Sequence, residues 1–558
     1  MCQHTHTQIH DMEIVSLNSL IEKSIIDNWN RDALTDFKGA TLQYHDVARK
    51  IEKLHIMFEN SGVQQGDKIA LCGRNSACWA VAFLATLTYG AVAVPILHEF
   101  TAEQIHNIVN HSGAKLLFVG DVVATVIDAT KMPDLEGIIY IPDYSLVVSR
   151  TEKLTYAREH LNEMFGKKFP KYFRQEHVHY RRETSGEEMA LINYTSGTTG
   201  FSKGVMIPFR ALWSNYQFAI EVLGHQVKKG DHIISMLPLA HMYGMAFEFI
   251  FEFLHGCHVF YLTRIPSPKI VLKAFGEIKP TIIISVPLII EKIIKKNVLP
   301  KLQTPSMKVL LKLPFISGRI LDKVREGLIS AFGGNFYEII VGGAAFNSEV
   351  EDLLNKIHFP YTVGYGATEC APIIAYEDWQ KFHKGSCGKA APRMEIKIDS
   401  DDPQHTVGEI LTRGDNVMLG YYKNDEATRT TLVDGWYHTG DLGVIDAEGN
   451  LYIRGRSKNM LLGASGQNIY PEEIEDKINT LPYVNESIVV QRGEKLVALI
   501  YPDYDEAKRD GLNENGLRAA MEQNRKDINT MVASYERISA IEIYETEFEK
   551  TPKRSIKR

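Results

Sequence analysis

Residues 194–208 read YTSGTTGFSKGVMIP. The hydroxyl residues Thr195, Ser196, Thr198, Thr199 and Ser202 are interleaved with Gly197, Gly200 and Gly204, and Lys203 stands near the end. Glycine lets a backbone fold tightly enough for successive N–H groups to converge on one anion. The hydroxyls add donors, and the lysine adds a point charge suited to phosphate. A Walker A loop would read G-x-x-x-x-G-K-[ST] and open a helix. Here Lys203 is followed by Gly204, and Val205, Met206, Ile207 and Pro208 read as a strand. The pattern therefore predicts an anion-binding loop between two strands.

Outward from this loop, short Val/Ile-rich strands alternate with helical patterns. KIALCG (68–73), AVAVPI (91–96), KLLFVG (115–120) and GIIYIP (137–142) precede it, while HIISML (232–237), CHVFYL (257–262), TIIISV (281–286) and EIIVGG (338–343) follow. That rhythm predicts α/β layers around a largely parallel sheet. After Asp399 short strands and Gly-rich turns take over, and a charged α+β module follows from about Ser457. GRSKN (455–459) reads as the linker. The expected architecture is a large N-terminal α/β domain with mixed sheets (1–457) and a small, mobile C-terminal α+β domain (458–558). Residues 79–97 carry no formal charge and approach the length of a membrane span. Their pattern breaks at Gly90, which predicts a buried helix ending there and a short strand stopped by Pro95.

Composition excludes several classes. With 44% apolar and 23% charged residues the 558-residue chain is globular. A net charge of -7, from 62 Lys plus Arg against 69 Asp plus Glu, argues against a nucleic-acid binder. The six cysteines include no C-x-x-C pair, so neither a disulfide framework nor a zinc cage is implied. The opening MCQHTHTQIHDMEI has no basic or apolar signal region, and its His4, His6 and His10 read as a polar tail. The expectation is a soluble, cytoplasmic protein.

The 194–208 loop resembles the phosphate loop of the adenylate-forming superfamily, which includes acyl-CoA synthetases, luciferases and peptide-synthetase adenylation domains. VGGAAF (341–346) resembles its adenine-side segment, and VGYGATECAP (363–372) its G-Y-G-x-T-E element. GWYHTGDLG (435–443) and YIRGRSKNMLLGASGQNIYPEEIE (452–475) resemble its ribose-binding and hinge elements. The five motifs occur in the family's order and cover nearly the whole chain.

The resemblance implies that ATP activates a carboxylic acid to acyl-AMP with pyrophosphate release, and that the acyl group then passes to coenzyme A. It implies phosphate binding by Thr195, Ser196, Gly197, Thr198, Thr199, Gly200 and Lys203, and adenine contacts from Gly343, Ala344, Ala345, Tyr365 and Gly366. Thr368 would meet the α-phosphate, and Glu369, a hard oxygen donor, would hold Mg²⁺. Asp441, read as lying in a turn, can accept from both ribose hydroxyls; Arg456 can join it or reach the phosphate. Lys458 aligns with the hinge between the two half-reactions, and Gly466 with the approach of the thiol arm. His241, in LPLAHMYG (237–244), is the candidate for orienting acid and γ-phosphate, against the alternative of a loop histidine holding its own backbone.

The wording of residues 94–112, 237–242 and 279–293 is closest to that of long-chain fatty acid–CoA ligases. Residues 292–325 carry nine Lys or Arg and one acid, Asp322, among Ile, Val and Leu. Pro300, Pro305 and Pro314 preclude one continuous helix; the stretch reads as a solvated face or as a peripheral contact with anionic membrane. One departure stands out. The family signature T-x-x-G-K-I-x-R meets EKTPKRSIKR (549–558), which puts Ser555 where its lysine belongs. Lys553 is the favoured substitute, ahead of the penultimate Lys557. Two other readings remain at this point: transfer to a separate acyl carrier protein instead of CoA, and a nucleotide- or fatty-acid-binding protein without catalysis.

Overall fold

Ser76 accepts a hydrogen bond from Trp79 N at 3.1 Å and so opens the helix Ala77–Tyr89. Gly90 closes that helix in the left-handed region, with φ of 88°. Ala77 through Thr88 are buried all round apart from Cys78, so the apolar stretch is a core helix. The computed structural model describes residues 16–195, 203–263, 267–462, 467–493, 495–550 and 556. No helix among them is long and apolar enough to cross a membrane. The strand that follows, Val92–Ile96, runs through Pro95 instead of stopping there. Its ladder with Lys68–Cys72 continues through Leu71↔Pro95 and Cys72↔Ile96, while its other side pairs only at Ala93↔Leu191.

This strand lies inside an eight-stranded sheet. Met189–Thr195, Val92–Ile96, Lys68–Cys72, Ala114–Val119 and Gly137–Tyr140 form its parallel centre. Antiparallel strands complete both margins: Leu146–Ser149 on one side, Lys203–Pro208 and then Gly420–Tyr421 on the other. A four-stranded sheet joins Asp32–Asp36 and Thr41–Gln43 to His232–Ser235 and His258–Tyr261. Three parallel strands, Ile283–Ser285, Ile339–Val341 and Tyr361–Val363, form another layer. From Met394 to Arg456 the chain turns antiparallel. The result is the mixed α/β architecture expected from the alternation.

One contiguous hydrophobic core runs from Leu17 to Leu451, and a second from Ile469 to Ile538. The second packs the helices Pro471–Ile478 and Glu514–Met531 on the strands Val484–Arg492, Lys495–Pro502 and Ile538–Ile543. Gly455 and Arg456, expected in the linker, belong to the strand Leu451–Arg456 because Leu442 and Asp441 pair with them. The turn between the units narrows to Ser457–Asn459.

The 246–254 stretch is helical as its pattern predicts, with a π turn at Ala246–Ile250 between Met242–Met245 and Phe251–His255. Its two acids, Glu248 and Glu252, are buried in the core. Burial pushes the Glu252 carboxyl up to about 8. A carboxyl raised in this way binds a proton in the folded chain that the unfolded chain releases. Its contribution therefore favours the fold at low pH and fades as pH rises from 4.5, the ordinary value, towards 8. Glu252→Gln should flatten the fall in stability between pH 5 and pH 8 by an amount on the order of a few kcal/mol. Chemical denaturation of both proteins at several pH values measures it, and parallel profiles would refute it.

Candidate active site

The two strands expected around the Gly/Ser/Thr loop form an antiparallel hairpin, and its register pairs Thr195 with Lys203. Residues 196–202, and with them Ser196, Gly197, Thr198, Thr199 and Gly200, lie outside the described residues. Gly420–Tyr421 extends the hairpin through Tyr421↔Val205, and Lys203 Nζ sits 4.7 Å from the centroid of the Tyr421 ring. The Tyr421 hydroxyl donates to Glu369 Oε1 at 2.9 Å. Met418 N donates to the Glu369 carbonyl at 2.8 Å. A cation, an aromatic face and a carboxylate are thus locked side by side at one margin of the sheet. Sequence reasoning missed Tyr421, because a lone tyrosine after Gly420 carries no spacing signal.

A second cluster forms around Asp441. This residue lies within the strand Trp436–Ile445, not in a turn. The neighbouring strand pairs Glu409 with Leu442 and Leu411 with His438, so Thr439, Gly440 and Asp441 together oppose Ile410 alone. Gly440, with φ of 69°, supplies the left-handed residue that this bulge needs. Tyr365 donates its hydroxyl to Asp441 Oδ2 at 2.6 Å, and Arg456 Nε approaches Oδ1 at 2.9 Å. Burial pushes the Asp441 carboxyl up, against Arg456 and the Tyr365 hydroxyl, which hold it down. Gly366 follows Tyr365, and a Cβ there would lie 2.4 Å from the Pro372 carbonyl oxygen. Only glycine lets the chain pass at this point.

His241 caps the helix Met242–Met245, its Nδ1 accepting from Tyr243 N at 3.2 Å. It holds its local backbone, and it also lines the cavity described next. Behind it, Met236 N and Leu237 N both donate to Glu248 Oε2, at 3.0 and 2.9 Å. A buried acid that the sequence reading left without a role therefore anchors the start of the His241 segment. Lys458 sits in the Ser457–Asn459 turn, its ammonium pKa lowered by burial and by Arg456.

These groups share a cavity of about 2630 Å³. Thr195, Lys203, Glu369, Asp441, Arg456 and Lys458 line it, as do His241, Thr368, Tyr365, Gly366 and the segment Gly343, Ala344 and Ala345 after the strand Ile339–Val341. Phe218, Leu223, Phe247, Ile284, Ile340 and Tyr376 line it too, with Phe247 and Tyr376 packed on Phe218 at ring-centroid distances of 5.8 and 5.4 Å. From the small unit comes Lys550, paired with Glu486 at 2.5 Å and Glu547 at 3.1 Å. Lys553, Ser555, Lys557 and Gly466 lie outside the described residues. Among those described, no three His, Cys, Asp or Glu side chains group to hold a metal ion.

Residues 22–422 match the family described as AMP-binding enzyme, and residues 458–558 match the AMP-binding enzyme C-terminal domain. The chain belongs to the AMP-binding enzyme family. It is 27% identical over 465 residues to a long-chain-fatty-acid–CoA ligase of Mycobacterium bovis, covering 80% of this chain and 74% of that one. A long-chain-fatty-acid–CoA ligase of Escherichia coli is 26% identical over 513 residues, covering 87% and 84%. The crystal structure of an anthranilate CoA ligase in complex with anthranoyl-AMP superposes with a TM-score of 0.77 at 21% identity, over 97% of this chain and 96% of that one. That last likeness speaks for the fold.

The ribose contact that the motif resemblance implies for Asp441 has a direct test. Asp441→Asn keeps the side-chain shape but removes the charge facing Arg456. Hydrogen bonds to charged groups contribute about 1.5–3 kcal/mol, so AMP affinity should fall roughly tenfold to a hundredfold. Calorimetric titration with AMP measures this, and unchanged affinity would remove Asp441 from the nucleotide site.

Proposed function

We propose that this AMP-binding enzyme is an acid–CoA ligase whose acid is a long-chain fatty acid. A carboxylate oxygen bonds to the α-phosphorus of ATP and pyrophosphate leaves; the thiol of CoA then attacks the acyl carbonyl carbon and AMP leaves. The observation that best supports this reading is the continuity of the cavity. Its lining joins Lys203, Glu369, Asp441 and Arg456 with the apolar Phe218, Leu223, Phe247, Ile284 and Ile340.

The residues take distinct parts in this scheme. The 195–203 loop binds phosphate oxygens, with Lys203 as the point charge. Asp441 accepts from the ribose, and Arg456 holds that carboxylate in its ionised form. Gly343, Ala344, Ala345, Tyr365 and Gly366 wall the adenine. Thr368 donates to the α-phosphate, and His241 orients the incoming carboxylate from the head of its helix. Glu369 fits Mg²⁺: it is a hard oxygen donor steadied by Tyr421, and a single carboxylate suits an ion that draws its other ligands from phosphate and water. That ion would neutralise charge on the triphosphate. Lys458, in the turn between the two cores, is the hinge about which the small unit changes place, and Gly466 takes the part that its motif resemblance implies, beside the incoming thiol arm. Lys553 or the cavity-lining Lys550 supplies the C-terminal cation that Ser555 cannot.

The acid's identity rests on the apolar wall. Phe218, Leu223, Phe247, Ile284 and Ile340 offer ring and aliphatic contacts to an acyl chain. Each methylene buried there contributes about 0.8 kcal/mol. Small-molecule pockets typically span roughly 300–1,000 Å³, and this cavity exceeds that range.

Pyrophosphate release with acetate, hexanoate, benzoate and palmitate, with and without CoA, tests the proposal. Palmitate should give the highest kcat/KM, and its thioester should appear with free CoA. A preference for benzoate would overturn the long-chain assignment. Thioester formation only on a phosphopantetheinyl carrier would replace CoA, and silence with every acid would leave a binding protein. Separately, Glu369→Gln should lower adenylation by roughly tenfold or more with little change in melting temperature. Intact adenylation would remove Glu369 from the metal role.

A further inference from the structure

The basic segment 292–325 folds within four successive helices, Pro287–Asn297, Leu299–Leu302, Pro305–Leu310 and Pro314–Ala331, each with proline in its first turn. Proline is tolerated there because the N–H it lacks would have no intrahelical partner. The first helix buries Ile289, Ile290, Ile293 and Ile294 and brings Lys292, Lys295 and Lys296 to the cavity wall. The last two meet at a tip that carries Val309, Leu310, Leu313 and Ile316, exposed by 63, 36, 44 and 40%. Sixteen large apolar side chains are this exposed among the described residues, and no other eight-residue stretch holds more than two of them. A contiguous exposed apolar patch marks a surface that meets something.

The charge around the tip says what it meets. Lys301, Lys308, Lys312, Arg319 and Lys323 are exposed, and none pairs with a carboxylate among the described residues. Lys308 and Lys312 are interleaved with the four apolar side chains. On the last helix Ile316, Arg319 and Lys323 recur at helical spacing on the exposed side while Leu328 is buried. Apolar side chains ringed by long cations fit a lipid–water boundary, where the former enter the acyl region and the latter reach the phosphates.

We propose that the 305–323 tip docks the protein on an anionic lipid bilayer. The short helix Leu299–Leu302 links the tip to the helix that lines the cavity, so docking would tether that wall to the bilayer. Docking itself does not depend on which acid is activated.

The test is sedimentation of the full chain, without ATP or CoA, with vesicles of phosphatidylcholine alone and with about one third phosphatidylglycerol. The protein should pellet with the anionic vesicles, not with the neutral ones, and 0.5 M NaCl should release it. A cation near such a surface is worth about fivefold in binding. Lys308→Gln/Lys312→Gln should therefore bind about 25-fold more weakly, and Val309→Ser/Leu313→Ser/Ile316→Ser should lose binding. Pyrophosphate release with hexanoate in solution should remain unchanged in both variants, which controls for folding. Failure of the unaltered protein to pellet with anionic vesicles would overturn the proposal, as would equal pelleting by all three proteins. So would a dimer in gel filtration that the apolar variant converts to monomer, because a second copy would then cover the tip.

Discussion

The site depends on the antiparallel pairing of Met189–Thr195 with Lys203–Pro208 at the margin of an otherwise parallel sheet. A parallel strand would have to leave through a long crossover; the hairpin returns at once. It therefore brings the two ends of the Gly/Ser/Thr loop face to face and leaves an edge on which Gly420–Tyr421 pairs. Through that added strand, residues more than two hundred positions away come to rest against Lys203. Tyr421 then fixes Glu369, whose own short turn is tied to the same strip of chain by Met418 N. Shifting the hairpin by one residue would turn Lys203 to the opposite face of the sheet and dismantle the arrangement.

Around this strip the structure solves a charge problem. Glu369, Glu409, Asp441, Glu472 and Glu475 all line the cavity. Asp441 avoids isolation by splitting its oxygens between Tyr365 and Arg456, and Glu409 holds Gly440 N and His438 Nδ1 at 2.9 and 3.0 Å. Both sets of bonds stiffen the bulge that carries Asp441. Each carboxylate thus has a positioning partner, which keeps its geometry fixed for a charged ligand.

Much of this was legible in the sequence. The strand–helix rhythm, the Gly90 stop and the loop between two strands all depend on local patterning, and local patterning is what a sequence displays. The described motif residues line one cavity although their strands belong to different sheets. What stayed hidden depends on contacts between distant segments. Tyr421 gains its meaning from a strand pairing 216 positions from Val205, and Glu248 from two backbone N–H groups ahead of its own helix. Asp441 looked like a turn residue since Thr-Gly-Asp has turn composition; the bulge absorbs that glycine without ending the strand. The 292–325 stretch reads as basic in the sequence, but the exposure of Val309, Leu310, Leu313 and Ile316 depends on how its helices pack.

The two hydrophobic cores, one ending at Leu451 and the other beginning at Ile469, also shape how the chain loses its structure. All-or-none unfolding is a property of a single cooperative unit, and chains with several such units depart from it. A lone transition midpoint is then an average over two populations. Destabilisation at Glu252 belongs to the first unit and at Lys550 to the second, so the same loss of free energy at the two positions would leave different parts of the protein open to proteases.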